Sequence, residues 1–385
     1  MRLAAGHRCS ATGRRHRTGT GTADGSMSTR PPTGNEQQVV DSDNGAVKRP
    51  TIADIAKRAG VSIGAVSYAL NGLPGVSSQT RQRILDLADE IGWRPNISAR
   101  ALSVSRAHAI GLVIARTTRT LGVEPFFMRF IAGLEAELSA ARTALLLQVV
   151  QDHPTANEAI RLWWAERRID GLIVTDLWRD DERIPLIEQL KIPAVLVGRP
   201  RTDSSAPAVW SDDGDAVVAA VDHLIQLGHR RIARVAGLSV LDHTQVRTEA
   251  FTAAMTHHGL PNAEVLITDY SGEQGAEATR ALLGRPMAPT AIVFDNDLMA
   301  VAALGVAREM RVPVPAELSI IAGDDSQLCS LAHPTLTALS RDISGYGAHA
   351  ARTLLKTIAG QRPGSHQDPA AHLVARGSTA KAPHA

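Results

Sequence analysis

The chain has 385 residues and a formal net charge of only +2, a length that allows two or three compact units at roughly 100–200 residues each. Its two cysteines, Cys9 and Cys329, stand outside any CxxC spacing. That excludes a disulfide framework, offers no zinc or redox motif and fits a reducing, intracellular setting. No run of about 18 apolar residues suggests a membrane span, and the basic first 26 residues lack the apolar stretch of a secretory signal.

The small net charge hides an asymmetry. Residues 48–106 carry a net of +5 and residues 1–47 a net of +2, which leaves −5 on the remainder. A small basic module joined to a large acidic one is expected to meet a polyanion through the basic part alone. Residues 1–47, rich in Gly, Thr, Ser, Arg and Asp, show no apolar periodicity and are expected to stay unfolded. They read either as a basic arm or as sequence upstream of a start at Met27.

From Lys48 the pattern changes. In TIADIAKRAGVS, Thr51 and Asp54 have the spacing of a capping box, and Ile52, Ile55, Ala56 and Ala59 recur at helical spacing. Gly60 ends that helix and Ser62 caps the next, SIGAVSYALN. Helix, tight glycine turn and helix make the layout of a helix-turn-helix. A third helix is expected from about Ser78 to Gly92, with Ile84, Leu85, Ala88 and Ile91 on one face and Pro95 blocking its continuation.

Beyond about Ala107, apolar runs alternate with helical segments. The strands expected are 110–115, 144–150, 171–175 and 194–199, then 231–237, 264–269, 291–297 and 318–325; FIAGLEAELSAA and AVVAAVDHLIQLG read as helices between them. This alternation specifies an α/β architecture with buried parallel sheets. Two sets of strands over this length suggest two lobes with a cleft between them, because one core stops growing near 250–300 residues.

TIADIAKRAGVS, VSYALNG, VSSQTRQRIL, GWRPNISARAL and, far downstream, NDLMA and GDD resemble the lactose-repressor (LacI/GalR) family, in order and over residues from about Lys48 to 379. The resemblance implies an all-α helix-turn-helix domain at 48–94 and a hinge helix at 95–106. It further implies a two-lobed core at 107–379 like that of periplasmic binding proteins, then a short tail at 380–385. It also implies a homodimer on a palindromic double-stranded operator, a small-molecule effector of the carbohydrate class and a cytoplasmic, nucleoid-associated repressor. The tail lacks leucine heptads, which favours a dimer over a tetramer. No cofactor and no metal are expected.

By the same resemblance, the second helix enters the major groove with Ile63, Gly64 and Ala65, followed by Ser67 and Tyr68. Ala65 and Tyr68 depart from the polar residue and arginine of many members, so a bidentate arginine–guanine contact is missing there. Thr51, Ser62, Asn71, Ser77 and Thr80 match phosphate-contact positions near helix starts, or serve plainly as caps. Val66, Ala69, Leu70 and Trp93 read as core. In the hinge, Asn96, Ala99 and Leu102 match members in which the leucine wedges into a minor-groove step.

In the core, Arg247 corresponds to an arginine that forks onto hydroxyls or a carboxylate. Asn296 and Asp324 lie at strand ends, where open α/β sheets bind ligands. Tyr270 stands where an aromatic stacks on a sugar face, and Phe127, with Phe126, either lines the opposite lobe or simply packs. Arg341 replaces a common glutamine and points to an acidic or unusual ligand. No GxxxxGK, GxSxG or HExxH constellation supports an enzyme. A transporter's solute-binding protein, the rival reading for the core alone, has no place for the helix-turn-helix.

Overall fold

The computed structural model describes residues 50–94, 106–116, 124–260 and 262–383. The expected leader and the hinge residues Asn96, Ala99 and Leu102 therefore lie outside the described residues. The chain divides into two compact units at Arg94–Pro95.

The first unit contains α1 (Ile52–Ala59), α2 (Ile63–Leu70) and α3 (Ser78–Glu90). Its core is Ile55, Ala56, Ala59, Val66, Ala69, Ile84, Ala88 and Trp93, with Leu70, Leu87 and Ile91 packed against it. Leu85, expected on the buried face, is instead 37% exposed. Ile84, Leu87/Ala88 and Ile91 are the i, i+3/i+4 and i+7 set; Leu85, one position on from Ile84, is turned about 100° away.

The second unit consists of two parallel-sheet lobes. The first sheet joins β1 (Ala109–Ala115), β2 (Ala144–Val150), β3 (Gly171–Val174), β4 (Ala194–Val197), β5 (Ala208–Ser211) and β11 (His366–Asp368), in the order β11-β5-β4-β3-β1-β2. It is accompanied by α4 (Pro125–Ala140), α5 (His153–Ala165), α6 (Arg183–Leu190) and α12 (Ile343–Ile358). The second sheet has the order β12-β10-β9-β8-β6-β7, built from β6 (Ile232–Ala236), β7 (Glu264–Ile267), β8 (Ala291–Phe294), β9 (Ser319–Ala322), β10 (Thr337–Ser340) and β12 (His372–Val374). Its helices are α7 (Asp213–Gln226), α8 (Asp242–His257), α9 (Gly272–Leu283), α10 (Asp297–Glu309) and the short α11 (Gln327–Leu331).

All eight expected strands are present. The sequence reading missed β5, β10, β11 and β12. The first two have four residues each, and the last two are three-residue edge strands, HQD and HLV, with no apolar run to announce them. β12 pairs antiparallel with β10, the one departure from parallel pairing among the described strands. The chain passes between lobes three times: at residue 212 between β5 and α7, at 341–342 between β10 and α12, and at 369–371 between β11 and β12. Those connections place the carboxyl ends of the strands of both sheets around one cleft, where open α/β sheets bind their ligands.

Candidate nucleic-acid interface and ligand cleft

Local chemistry fixes the helix starts of the first unit. Asp54 N–H donates to Thr51 Oγ1 at 3.4 Å while Thr51 N–H donates to the Asp54 carboxylate at 2.8 Å, a reciprocal capping box. Gly60, in the left-handed region at φ 65°, ends α1 by donating its N–H to Ala56. Ser62 Oγ accepts from Ala65 N–H, and Ser77 Oγ accepts from Thr80 N–H, both at 3.2 Å. The Ser77 and Thr80 hydroxyls are themselves 2.8 Å apart, and Asn71 Nδ2 donates to the Ser67 carbonyl at 3.0 Å. Thr51, Ser62, Ser77, Thr80 and Asn71 thus all serve their own helices. The Thr51 O–H is itself donated to the Asp54 carboxylate at 2.7 Å and one hydroxyl of the Ser77–Thr80 pair donates to the other, whereas the Ser62 O–H can turn outward to a phosphate.

Helix α2 has two sides. Val66 and Ala69 are buried, whereas Ile63 is 58% and Tyr68 48% exposed. Ile63, Gly64, Ser67, Tyr68 and Asn71 share one face at i, i+3/i+4 spacing, and the Tyr68 ring rests against Gly75 of the following turn. The unit therefore presents an aromatic hydroxyl and an aliphatic side chain on a short, uncharged helix face.

The cleft of the second unit encloses about 610 Å³, part of it open to solvent. Four of the five expected ligand residues line it: Phe127, Arg247, Tyr270 and Asp324. Asn296 does not. Its Oδ1 accepts from Met299 N–H at 2.9 Å, capping α10, and its Nδ2 donates to the Tyr270 carbonyl at 3.0 Å, with 1% of the residue exposed. The strand end was located correctly, but the side chain turns into its own helix.

The other residues are more engaged than their types suggested. Arg247 donates to Asp213 at 2.6 Å, and Arg341 reaches both Asp213 and Asp324, at 3.2 and 3.3 Å. Burial alone would raise the Asp213 pKa, but Arg247 and Arg341 hold it well below the usual carboxylate range. Burial raises that of Asp324 despite Arg341. Tyr270 is 3% exposed; its hydroxyl meets His243 and Thr244, both at 2.9 Å, and the Arg116 guanidinium lies 4.8 Å from its ring centroid. A Cβ on Gly237 would fall inside that ring, so only glycine allows Tyr270 its place. Tyr270 thus forms a fixed wall rather than a freely exposed stacking face. Phe127 is 1% exposed and mostly core, while Phe126 carries the Arg341 guanidinium 5.5 Å from its ring centroid.

Sequence reasoning missed Arg116, Glu124, Asp176, Asp213, His243 and Asp295, all of which line the cleft. Arg116 pairs with Asp176 at 2.8 Å. Asp295 receives the buried Arg234 guanidinium through two hydrogen bonds of 2.9 and 2.8 Å. Burial pushes the Glu124 pKa up to about 8, and burial, helped by Arg247, lowers that of His243 to about 4. Four buried polar atoms of cleft residues have no hydrogen-bond partner among the described residues: Arg116 Nη1, Arg341 Nε, Glu124 Oε2 and Thr175 Oγ1. Orphaned donors and acceptors in one cleft are what a polar ligand would satisfy.

Residues 51–96 match the model of bacterial regulatory proteins of the lacI family, and residues 221–379 match a periplasmic binding protein-like domain. The HTH-type transcriptional regulator CelR of Thermobifida fusca is 30% identical over 318 residues, which are 82% of this chain and 93% of that protein. Among solved structures, a complex of a transcriptional regulator CelR with cellobiose is 28% identical with a TM-score of 0.66, over 86% of this chain and 100% of that one. The lac repressor dimer bound to operator and the anti-inducer ONPF is 25% identical with a TM-score of 0.77, again over 86% and 100%. No helix among the described residues is long and apolar enough to cross a membrane. A capped three-helix unit with an exposed α2 face precedes a two-lobed α/β core with a charged cleft, and the chain belongs to the LacI family of bacterial transcriptional regulators.

Proposed function

We propose that this regulator is a cytoplasmic, homodimeric repressor whose grip on a palindromic operator is set by a carbohydrate held in the cleft of its core. Residues 48–94 would bind DNA, 95–106 would form the hinge and 107–379 the effector-binding and dimerising core. On α2, Ile63, Gly64, Ala65, Ser67 and Tyr68 would face base edges, with Ile63 on a thymine methyl and Tyr68 hydrogen-bonding a base or phosphate. Thr51, Ser62, Asn71, Ser77 and Thr80 would contact phosphates. Asn96, Ala99 and Leu102 would act at the operator centre, Leu102 as a wedge.

The observation that carries the carbohydrate reading is the mixed set of unpartnered atoms beside aromatic rings. Arg116 Nη1 and Arg341 Nε offer N–H donors, the Glu124 carboxyl and the Thr175 hydroxyl offer acceptors as well as O–H donors, and Phe126 and Tyr270 supply apolar surface. A sugar hydroxyl donates and accepts at once and lies next to a C–H face, so it can satisfy both kinds of atom. Each cleft arginine already faces a carboxylate, which leaves no uncompensated cation and favours a neutral ligand over a strongly anionic one. The solved CelR–cellobiose complex supports the same class.

Cellobiose and a panel of neutral mono- and disaccharides are expected to include a ligand that raises the melting temperature and changes affinity for a duplex selected from a random pool. Arg247→Ala should weaken that ligand by up to about a hundredfold, since a hydrogen bond to a charged group contributes about 1.5–3 kcal/mol. DNA affinity without ligand should be unchanged. A panel without effect on wild type, or a mutant that responds at the wild-type ligand concentration, would displace the proposed site.

A further inference from the structure

Away from the cleft, we infer that His349, His366 and Asp368 form a binding site for a divalent transition-metal ion, Zn²⁺ foremost, where α12 meets the edge strand β11. His366 and Asp368 are two residues apart on β11 and so project to one side of the strand. His349 comes from α12. His349 Nδ1 lies 2.8 Å and His366 Nε2 3.7 Å from the same carboxylate oxygen, Asp368 Oδ1. The two imidazole rings are 4.5 Å apart at 62°, and one ligand atom from each of the three residues falls within 4.8 Å of the others.

Tetrahedral Zn²⁺ with bonds of about 2.0–2.2 Å holds its ligand atoms about 3.3–3.6 Å apart. The two distances to Asp368 already bracket that value. The remaining gap closes by a small rotation of His366, whose side chain is 59% exposed and free to turn. Two imidazoles and one carboxylate are a borderline donor set that suits Zn²⁺ better than Mg²⁺ or Ca²⁺, which prefer oxygen. A fourth position is left for water. A plain fastening of α12 to β11 would need only the His349–Asp368 hydrogen bond. His366 adds nothing to it at 3.7 Å, yet its ring is turned toward the same carboxylate.

The position in the fold gives the site a consequence. Helix α12 begins directly after the connection at 341–342, and β11 ends directly before the one at 369–371. An ion held between them would brace two of the three passages on which the lobes turn. No sequence motif marks the three residues, because only the fold brings α12 beside β11.

The test uses the full chain, stripped with EDTA and titrated with Zn²⁺ against a fluorescent chelator. Wild type is compared with His366→Ala and Asp368→Asn. His366 is exposed and the strand is held by backbone pairing, so His366→Ala should fold; His7, Cys9 and His16 are present in every variant and cancel. Wild type should bind one more equivalent than either variant, or bind that equivalent at least about tenfold more tightly. Its melting temperature should rise with Zn²⁺ but not with Mg²⁺, and the rise should vanish in His366→Ala. Equal stoichiometry and affinity in wild type and both variants, or a melting temperature unmoved by Zn²⁺, would overturn the site.

Discussion

Glu124 and His243 are polar residues whose burial in the cleft keeps both neutral near pH 7, through pKa shifts of opposite direction. Glu124 is 7% exposed, and burial lifts its pKa from 4.5 to about 8 although Arg116 acts to lower it. His243 is lowered to about 4 by burial, with Arg247 adding to the effect. The signs for stability follow. Between about pH 4.5 and 8 the folded chain holds the Glu124 proton more tightly than the unfolded chain, so this residue makes stability fall as pH rises through that window. His243 does the reverse between about pH 4 and 6.5. Glu124→Gln keeps the shape and removes the titration. Relative to wild type it should gain stability steadily from pH 5 to 8.5, by on the order of 3 kcal/mol, read as a growing difference in melting temperature. A difference that is flat with pH would mean that Glu124 is ionised in the cleft throughout.

At the scale of the element, legibility followed the range of the interactions. The caps at Thr51, Ser62 and Ser77 and the break at Gly60 are made within a few residues, so α1, α2 and the start of α3 were readable from spacing alone. The long apolar strands of both lobes were readable because burial on both faces demands continuous apolar runs. The edge strands β11 and β12 were not, since each is three residues long and paired by its neighbour: β11 is polar throughout and β12 has only two apolar residues, too few to make a run. In the cleft, Arg247, Asp324 and Tyr270 could be placed by resemblance, whereas Asp213, Arg116 and Asp176 acquire meaning only through ion pairs formed in the fold. Helix α3 offers a direct check on the corrected face. Ile84 is 0% and Leu85 37% exposed. Ile84→Ala should therefore cost about 2–5 kcal/mol, and Leu85→Ala should cost well under half as much. Equal losses by denaturant melting of the full chain, followed at Trp93, would return Leu85 to the core.

For the molecule as a whole, an ion cluster lies where the chain passes between the two lobes. Asp213 directly follows the passage at residue 212, and Arg341 lies on the passage at 341–342. Their 3.2 Å contact, with Arg341 reaching on to Asp324 at 3.3 Å, sits at the second lobe's end of these passages. The Arg341 guanidinium also stands 5.5 Å from the ring centroid of Phe126 in the first lobe, an approach that a turn of one lobe against the other would change, and a ligand entering the cleft competes for the same guanidinium. An inter-lobe pair, Arg179–Glu249 at 3.2 Å, is 62% and 70% exposed. Solvent screens it to roughly 0–1 kcal/mol. The cluster differs because its side chains are only 13–22% exposed. Losing Arg341 leaves Asp324 without its counter-charge, while Asp213 keeps Arg247; an unpaired charge costs several kcal/mol in a full interior and about 1–3 kcal/mol at this partial exposure. Arg341→Gln should therefore destabilise the core by that amount, while Arg179→Ala stays within about 0.5 kcal/mol of wild type. The loss in Arg341→Gln should shrink at acid pH, because burial already raises the Asp324 pKa and protonation removes the unpaired charge. Thermal melts at pH 5 and pH 8 separate the two pairs. Were Arg341→Gln as mild as Arg179→Ala at both values, the cluster would line the cleft without stabilising the core.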